Sequence, residues 1–398
     1  MPGFVSPLSK EDINRFSRQL ILRGFGVDAQ KKLKSGSALI IGAGGLGCPV
    51  AIYLAAAGVG KIGIVDHDVI SIDNLHRQVG HKEKNVGMNK SISLKSFIES
   101  LNPTIEVKAY ETLISSKNVK EIMSEYDVIG DCSDNVVTRY LLNDASVLYK
   151  KILVSGSALG WEGQLTTYSY DKNCPCYRCL FPVPPPPESV TNCSEGGVLG
   201  PIVGVIGSME ALEIIKILSG LKPNFAGKLF LFDGMDGVTR NIKLRGRNNN
   251  CVVCGDDPKI KELIDYEVFC SATATDKILS INILGEDERI GVKELASLDE
   301  ENYVLIDCRS KEEFEICHLT NTFNIPLREI DKITLKDIEQ KTNKKPHNIF
   351  VICHRGNDSQ KAVEKMKSKI NDKSIVLKDV IGGYEAWNQL IDNQFPTY

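Results

Sequence analysis

Residues 37–68 read SALIIGAGGLGCPVAIYLAAAGVGKIGIVDHD. The stretch is an apolar run (38–41), a glycine-rich turn (42–47), a helix-length apolar segment (47–57) and a second apolar run (61–66). That order predicts strand, tight turn, helix and strand, a compact βαβ unit. The alternation continues downstream. Strands are expected at 105–109, 127–131, 151–155, 163–169 and 229–232, and helices at 87–101, 115–124, 135–149 and 203–219. This predicts an α/β, Rossmann-like fold whose sheet has parallel character. The segment EDINRFSRQLILRGFG ahead of it reads as helical and carries Arg15, Arg18 and Arg23.

The turn GAGGLG fits G-x-G-x-x-G. Its glycines permit close phosphate approach, and the helix that follows offers N–H groups and a positive dipole end. Asp66 ends the next strand, where a carboxylate can bind ribose hydroxyls, so NAD is the first ligand to consider. The charges downstream favour ATP. Arg77 and Lys90 can neutralise a triphosphate, which hydride transfer does not require. CSDN (132–135) follows the strand YDVIGD and puts Asp134 at a strand's carboxyl end, where a carboxylate can hold Mg²⁺ or cap the next helix.

The chain has twelve cysteines. MPGFVSPLSKEDINRF lacks the apolar core of a signal peptide, and no apolar run approaches a membrane span. PIVGVIGSMEALEIIKIL is interrupted by Glu210, Glu213 and Lys216 and reads as an amphipathic helix. A cytosolic location is expected, where metal or catalytic roles for cysteine outweigh disulfides. Cys176-x-x-Cys179 and Cys251-x-x-Cys254 give four thiolates for one tetrahedral ion, the pattern of a closed structural zinc site. Cys193 lies in FPVPPPPESVTNCSEGGVLGP, a proline- and glycine-rich loop. A thiol there can attack an activated acyl group or be an incidental surface cysteine. Cys48 and Cys132 read as packing residues, and Cys270, Cys308 and Cys317 join no cluster.

The first domain is expected to span 1–259 and a linker 260–285. A second α/β domain over 286–398 contains YVLIDCRS, NTFNIPL, NIFVICHR and IVLKDV as strands. Within it Cys353 follows an apolar strand and precedes a helix led by Asp358 and Ser359. Loop N–H groups wrapped around its sulfur would stabilise a thiolate or persulfide, with Arg355 adding positive charge and Gly356 allowing the turn.

These stretches carry a resemblance. RFSRQLILRGFG, GAGGLGCPVAIYLAAAGVG, DNLHRQ, CSDN, CPCYRCLFP, VTNCSEGGVLGP and CVVCG resemble the MoeB/ThiF group of ubiquitin-activating-like adenylyltransferases. IDCRSKEEFEICHL, CHRGNDSQ and IGGYEAW resemble a rhodanese, and the fusion is similar to the eukaryotic molybdopterin-synthase sulfurylases, which also activate the ubiquitin-related modifier for tRNA thiolation. The resemblance implies ATP contacts at Gly45, Asp66, Asp73, Asn74, Leu75, His76, Arg77, Lys90, Asp134 and Asn135, with Arg18 reaching the triphosphate across a homodimer interface. It implies zinc on Cys176, Cys179, Cys251 and Cys254, one ion per subunit, an active Cys193 and a persulfide on Cys353. It also implies ubiquitin-like sulfur carriers as partners, the ubiquitin-related modifier and the small subunit of molybdopterin synthase among them, and a persulfide donor such as a cysteine desulfurase. Asp358 stands at the sixth loop position, where thiosulfate-using relatives commonly carry a base, and this disfavours a dianionic donor.

Three rivals stand beside that expectation. They are an NAD-dependent oxidoreductase, a non-catalytic scaffold for a ubiquitin-like carrier, and a thiosulfate sulfurtransferase with a regulatory nucleotide-binding domain. A net charge of −3 and a pI near 6.1 give no whole-protein footprint for nucleic acid, and neither a nucleic-acid nor a membrane partner is expected.

Overall fold

The computed structural model describes residues 5–186, 196–275, 281–370, 372 and 374–398. The chain divides into two compact units, residues 1–277 and 278–398.

The first unit is built on an eight-stranded sheet. Its strands are β1 (Ser37–Ile41), β2 (Lys61–Val65), β3 (Glu106–Tyr110), β4 (Val128–Asp131), β5 (Ile152–Leu159), β6 (Glu162–Tyr168), β7 (Lys228–Asp233) and β8 (Val238–Lys243), in the order β3-β2-β1-β4-β5-β6-β7-β8. β3 through β5 pair in parallel, and β5 through β8 antiparallel. β1 explains the run of apolar residues in the sequence. All five of its residues are buried, Ala38 and Ile40 into one core and Leu39 and Ile41 into the opposite one. A strand covered on both faces needs no polar alternation. The helices Gly47–Ala57 and Gly200–Leu218 close the first face, and Val136–Leu148 closes the second.

Two features depart from the sequence reading. Glu210 and Glu213 do not make the helix Gly200–Leu218 amphipathic, because both are fully buried. Glu213 accepts the backbone N–H groups of Asn224 and Phe225 at 3.0 and 2.8 Å, so its carboxylate closes a turn. Burial, with Asp131 nearby, pushes the Glu210 carboxyl well above the usual range. β8 is exposed along its whole length and lacks an apolar pattern; its pairing with β7 defines it.

Within 260–285, the helix Tyr266–Cys270 packs on the first unit. The Tyr266 hydroxyl donates to Asp144 at 2.9 Å, and the Arg178 guanidinium forks onto the same carboxylate at 2.8 to 3.0 Å.

The second unit is a parallel sheet of β9 (Arg289–Ile290), β10 (Val304–Asp307), β11 (Thr322–Asn324), β12 (Asn348–Ile352) and β13 (Val376–Val380), in the order β11-β10-β12-β13-β9. It too has a core on each face. Among the described residues, no helix of either unit is long and apolar enough to cross a membrane.

Candidate functional site

In the first unit, β1 connects outward to β2 on one side while β4 lies on the other, so the strand order reverses between β1 and β4. Ligands of open α/β sheets bind at the carboxyl ends of strands at such a point. A cavity of about 490 Å³ lies there. Gly42, Gly44, Gly45, Asp66, Arg77, Gln78, Lys90, Asp134 and Asn135 all line it.

Sterics explain the glycine turn. Gly42 has φ +99°, and a Cβ there would come within 2.7 Å of the Cys132 carbonyl oxygen. A Cβ on Gly47 would collide with the Gly42 carbonyl oxygen. The turn is pinned by Asp66, which accepts the Ala43 N–H at 2.7 Å and the Asp68 N–H at 2.8 Å. Burial raises the Asp66 carboxyl above its ordinary value, with Lys90 and these N–H donors opposing it. Lys90 is buried and donates to Asp68 at 2.8 Å. Burial works against its charge, but Asp66, Asp68 and Asp134 more than offset it, so the ammonium is held above its usual value.

Asp134 is exposed and does not cap the next helix; the Asn135 side chain does, accepting the Thr138 N–H at 2.8 Å. The Asp134 carboxylate therefore faces the cavity free of that capping bond. Arg77 donates to the Asp73 carbonyl at 3.0 Å and lies 2.8 Å from the His76 ring. Asn74 shapes this segment through a capping interaction with Ser71. Asp73, Asn74, Leu75 and His76 do not line the cavity; Arg77 does, and Asp73, Asn74 and His76 contact it. Arg18 is exposed in the last turn of the first helix, away from the cavity lining.

The sequence reading gave no role to Gln78 or Arg139, which also line the cavity. Gln78 is buried, and its Oε1 has no hydrogen-bond partner among the described residues. Arg139 lies one helical turn beyond Asn135, on the same face, and donates to the Ser133 carbonyl at 3.0 Å. That spacing was the available signal.

The four paired cysteines converge. Cys176 Sγ lies 3.8 Å from Cys179 Sγ and 3.7 Å from Cys251 Sγ, and Cys179 Sγ lies 3.3 Å from Cys254 Sγ. All four sulfurs fall within 4.8 Å of one another. Zinc–sulfur bonds of about 2.3 Å in a tetrahedron need sulfurs roughly 3.8 Å apart, so the cluster can hold a structural metal. The Asn248 N–H donates to Cys179 Sγ at 3.3 Å, as thiolate ligands commonly receive. Such an ion ties the segment after β8 to the segment after β6. Cys193 lies outside the described residues.

In the second unit, Cys353 follows β12 and opens the loop to the helix Asp358–Lys367. Gly356 turns the loop with φ +82°, and its N–H donates to Cys353 Sγ at 3.1 Å. Cys353 Sγ lies 3.5 Å from the Ser359 hydroxyl. Burial penalises the thiolate, but hydrogen bonds from Cys308 and Ser359 more than compensate and bring the thiol down to about 7. Arg355 does not add an unbalanced charge, because its Nε pairs with Glu385 at 3.2 Å. Asp358 opposes the thiolate electrostatically.

The comparisons with known proteins agree with both units. Residues 16–253 match the ThiF family and residues 292–390 a rhodanese-like domain. The adenylyltransferase and sulfurtransferase MOCS3 of Caenorhabditis briggsae is 50% identical over 399 residues, covering 99% of each chain. The protein of the same name from Drosophila willistoni is 50% identical over 395 residues, covering 98% of this chain and 86% of the relative. Escherichia coli MccB, in a crystal structure with ATP, aligns with a TM-score of 0.54 at 24% identity, over 61% of this chain and 74% of that one, a likeness of fold. With a cavity at the switch point of its first sheet, a thiol-activating loop in its second unit and relatives alike from end to end, the chain belongs to the ThiF family, in the group of adenylyltransferase and sulfurtransferase proteins that carry a rhodanese-like domain.

Proposed function

We propose that this chain is a bifunctional adenylyltransferase and sulfurtransferase. It adenylates the C-terminal glycine of a ubiquitin-like sulfur carrier and converts that end to a thiocarboxylate. The observation that carries the reading is the union, in one chain, of a cavity lined by Arg77, Lys90 and Asp134 at the switch point of the first sheet and a cysteine whose sulfur accepts a loop N–H in the second unit.

The carrier's carboxylate is a poor acyl donor, because oxide is a very poor leaving group. Its oxygen attacks the α-phosphorus of MgATP, a P–O bond forms, and pyrophosphate leaves. Lys90, Arg77 and, across a homodimer interface, Arg18 neutralise phosphate charge as it develops, and Asp134 holds the substrate's Mg²⁺. Gly45, Asp66, Arg77 and Asn135 seat the nucleotide, with Asp73 backing Arg77. An external persulfide donor, such as a cysteine desulfurase, charges Cys353. Its terminal sulfur attacks the acyl carbon, and AMP leaves with the C–O electron pair. A Cys193 thiolate then attacks Cys353 Sγ. The thiocarboxylate departs, a Cys193–Cys353 disulfide remains, and an external thiol reduces it. Cys176, Cys179, Cys251 and Cys254 hold one structural zinc per subunit.

Residues 1–259 carry the adenylation and 286–398 the sulfur. The carriers are the ubiquitin-related modifier of tRNA wobble-uridine 2-thiolation, the small subunit of molybdopterin synthase, or both, and the setting is the cytosol. The test offers each carrier with ATP and a persulfide donor and weighs the products. A carrier whose terminal oxygen is exchanged for sulfur is a substrate. If neither carrier gains sulfur while the donor is consumed, the reading fails.

A further inference from the structure

The rhodanese-like unit brings a second cysteine to Cys353. Asp307 of β10 and Ile352 of β12 are register partners, and the N–H of Cys308 donates to the Ile352 carbonyl at 2.9 Å. One residue further, Cys308 and Cys353 stand side by side at the carboxyl ends of neighbouring parallel strands, which run roughly 4.8 Å apart. They also share a face. Val304, Ile306 and Cys308 join Ile349, Val351 and Cys353 in one core, whereas Leu305, Phe350 and Ile352 enter the other. Both cysteines are buried.

We propose that Cys308 is a positioning residue of the sulfur-carrying site: its S–H donates to the Cys353 sulfur and holds that sulfur as an anion ready for charging. The inference rests on the reading of Cys353 as the sulfur carrier.

Beside Cys308, the Gly356 N–H donates to the Cys353 sulfur at 3.1 Å, and the Ser359 hydroxyl lies 3.5 Å from it. The Ser359 hydroxyl has one proton and a second acceptor, the Asp379 carboxylate at 3.4 Å. The register of β10 with β12 and the shared core face put the Cys308 thiol beside the Cys353 sulfur. Contact with Cys353, and then burial, hold the Cys308 thiol well above its ordinary range, so it keeps the proton it donates. Hydrogen bonding to a charged form favours that form.

The surrounding charges leave this role open. Asp358 opposes an anion at Cys353. Asp379 on β13 is paired with Arg289 at 2.8 Å, and Asp307 with Arg309 at 2.6 Å. In the loop, Arg355 is paired with Glu385, and burial, then Arg355, lowers the His354 pKa.

The test measures, in the full-length protein, how fast iodoacetamide alkylates the peptide containing Cys353 as a function of pH, read by mass spectrometry. Wild type is expected to inflect near 7. Cys308→Val, which keeps the volume and removes the donor, is expected to move the inflection up by about one unit, and Cys308→Ser to restore most of the shift through its hydroxyl. A structural role alone would change melting temperature without moving the inflection. If Cys308→Val does not fold, Cys308→Ala reads the same loss. An inflection unchanged without the thiol, or a serine variant shifted as far as valine, overturns the proposal. Alkylation reads the thiolate whether or not Cys353 carries sulfur, so failure of the carrier reading appears separately, as absence of a persulfide on that peptide.

Discussion

Lys90 and Asp134 are the single side chains on which the proposed phosphate chemistry turns. Lys90 is buried, yet three carboxylates favour its charge, so in the proposed reaction it would meet a phosphate as a desolvated cation. Lys90→Ala is expected to cut carrier-dependent ATP–pyrophosphate exchange by roughly a hundredfold or more, with the fold retained. Asp134→Asn is expected to do the same, with a raised requirement for Mg²⁺. Cys353 obeys a different rule. Its thiol is depressed to about 7, so the thiolate dominates above that pH and the thiol below it. The rate of sulfur loading from a persulfide donor should therefore fall below that pH, approaching about tenfold per unit. A rate independent of pH across that range would mean the thiolate is not the acceptor. Asp66, Lys90 and Asp134 were legible in the sequence because each sits at the end of an apolar run or the start of a helix. Arg139 and Gln78 were given no role: Arg139 stands one turn beyond Asn135 and Gln78 closes DNLHRQ, but only the fold around the cavity shows that both line it.

Elements are fastened by a few buried polar contacts. Arg178 and Asp144 are both fully buried, and Tyr266 adds a third arm, so one carboxylate holds the helix Val136–Leu148, the cysteine turn and the segment after residue 260. Asp144→Ala leaves a buried guanidinium unpaired and should cost about 3–5 kcal/mol, read by chemical denaturation. Tyr266→Phe removes one hydrogen bond and should cost about 1 kcal/mol. The four-cysteine cluster fastens the neighbouring elements. Chelation is expected to release one zinc per chain and lower the melting temperature of the first unit, while Cys353 alkylation is unaffected. The cysteine pairs declared themselves by spacing, since two residues between thiols let both reach one ion. Glu210 and Glu213 misled, because helical periodicity assigns charge to solvent and says nothing of a carboxylate that caps a buried turn.

At the scale of the whole chain, two α/β units each put chemistry at the carboxyl ends of their strands. The glycine turn and the cysteine loop made both units readable, because each compresses its function into a few consecutive residues. Cys308 stayed silent for the opposite reason: its partner is distant in sequence and is brought alongside only by the pairing of β10 with β12. The central claim is a division of labour, with activation in the first unit and sulfur delivery in the second. It is tested most directly by measuring ATP–pyrophosphate exchange and thiocarboxylate formation on one carrier with folded Cys353→Ala. The account predicts exchange at the wild-type rate and no thiocarboxylate. Exchange lost together with sulfur transfer, or thiocarboxylate formed without Cys353, would contradict it.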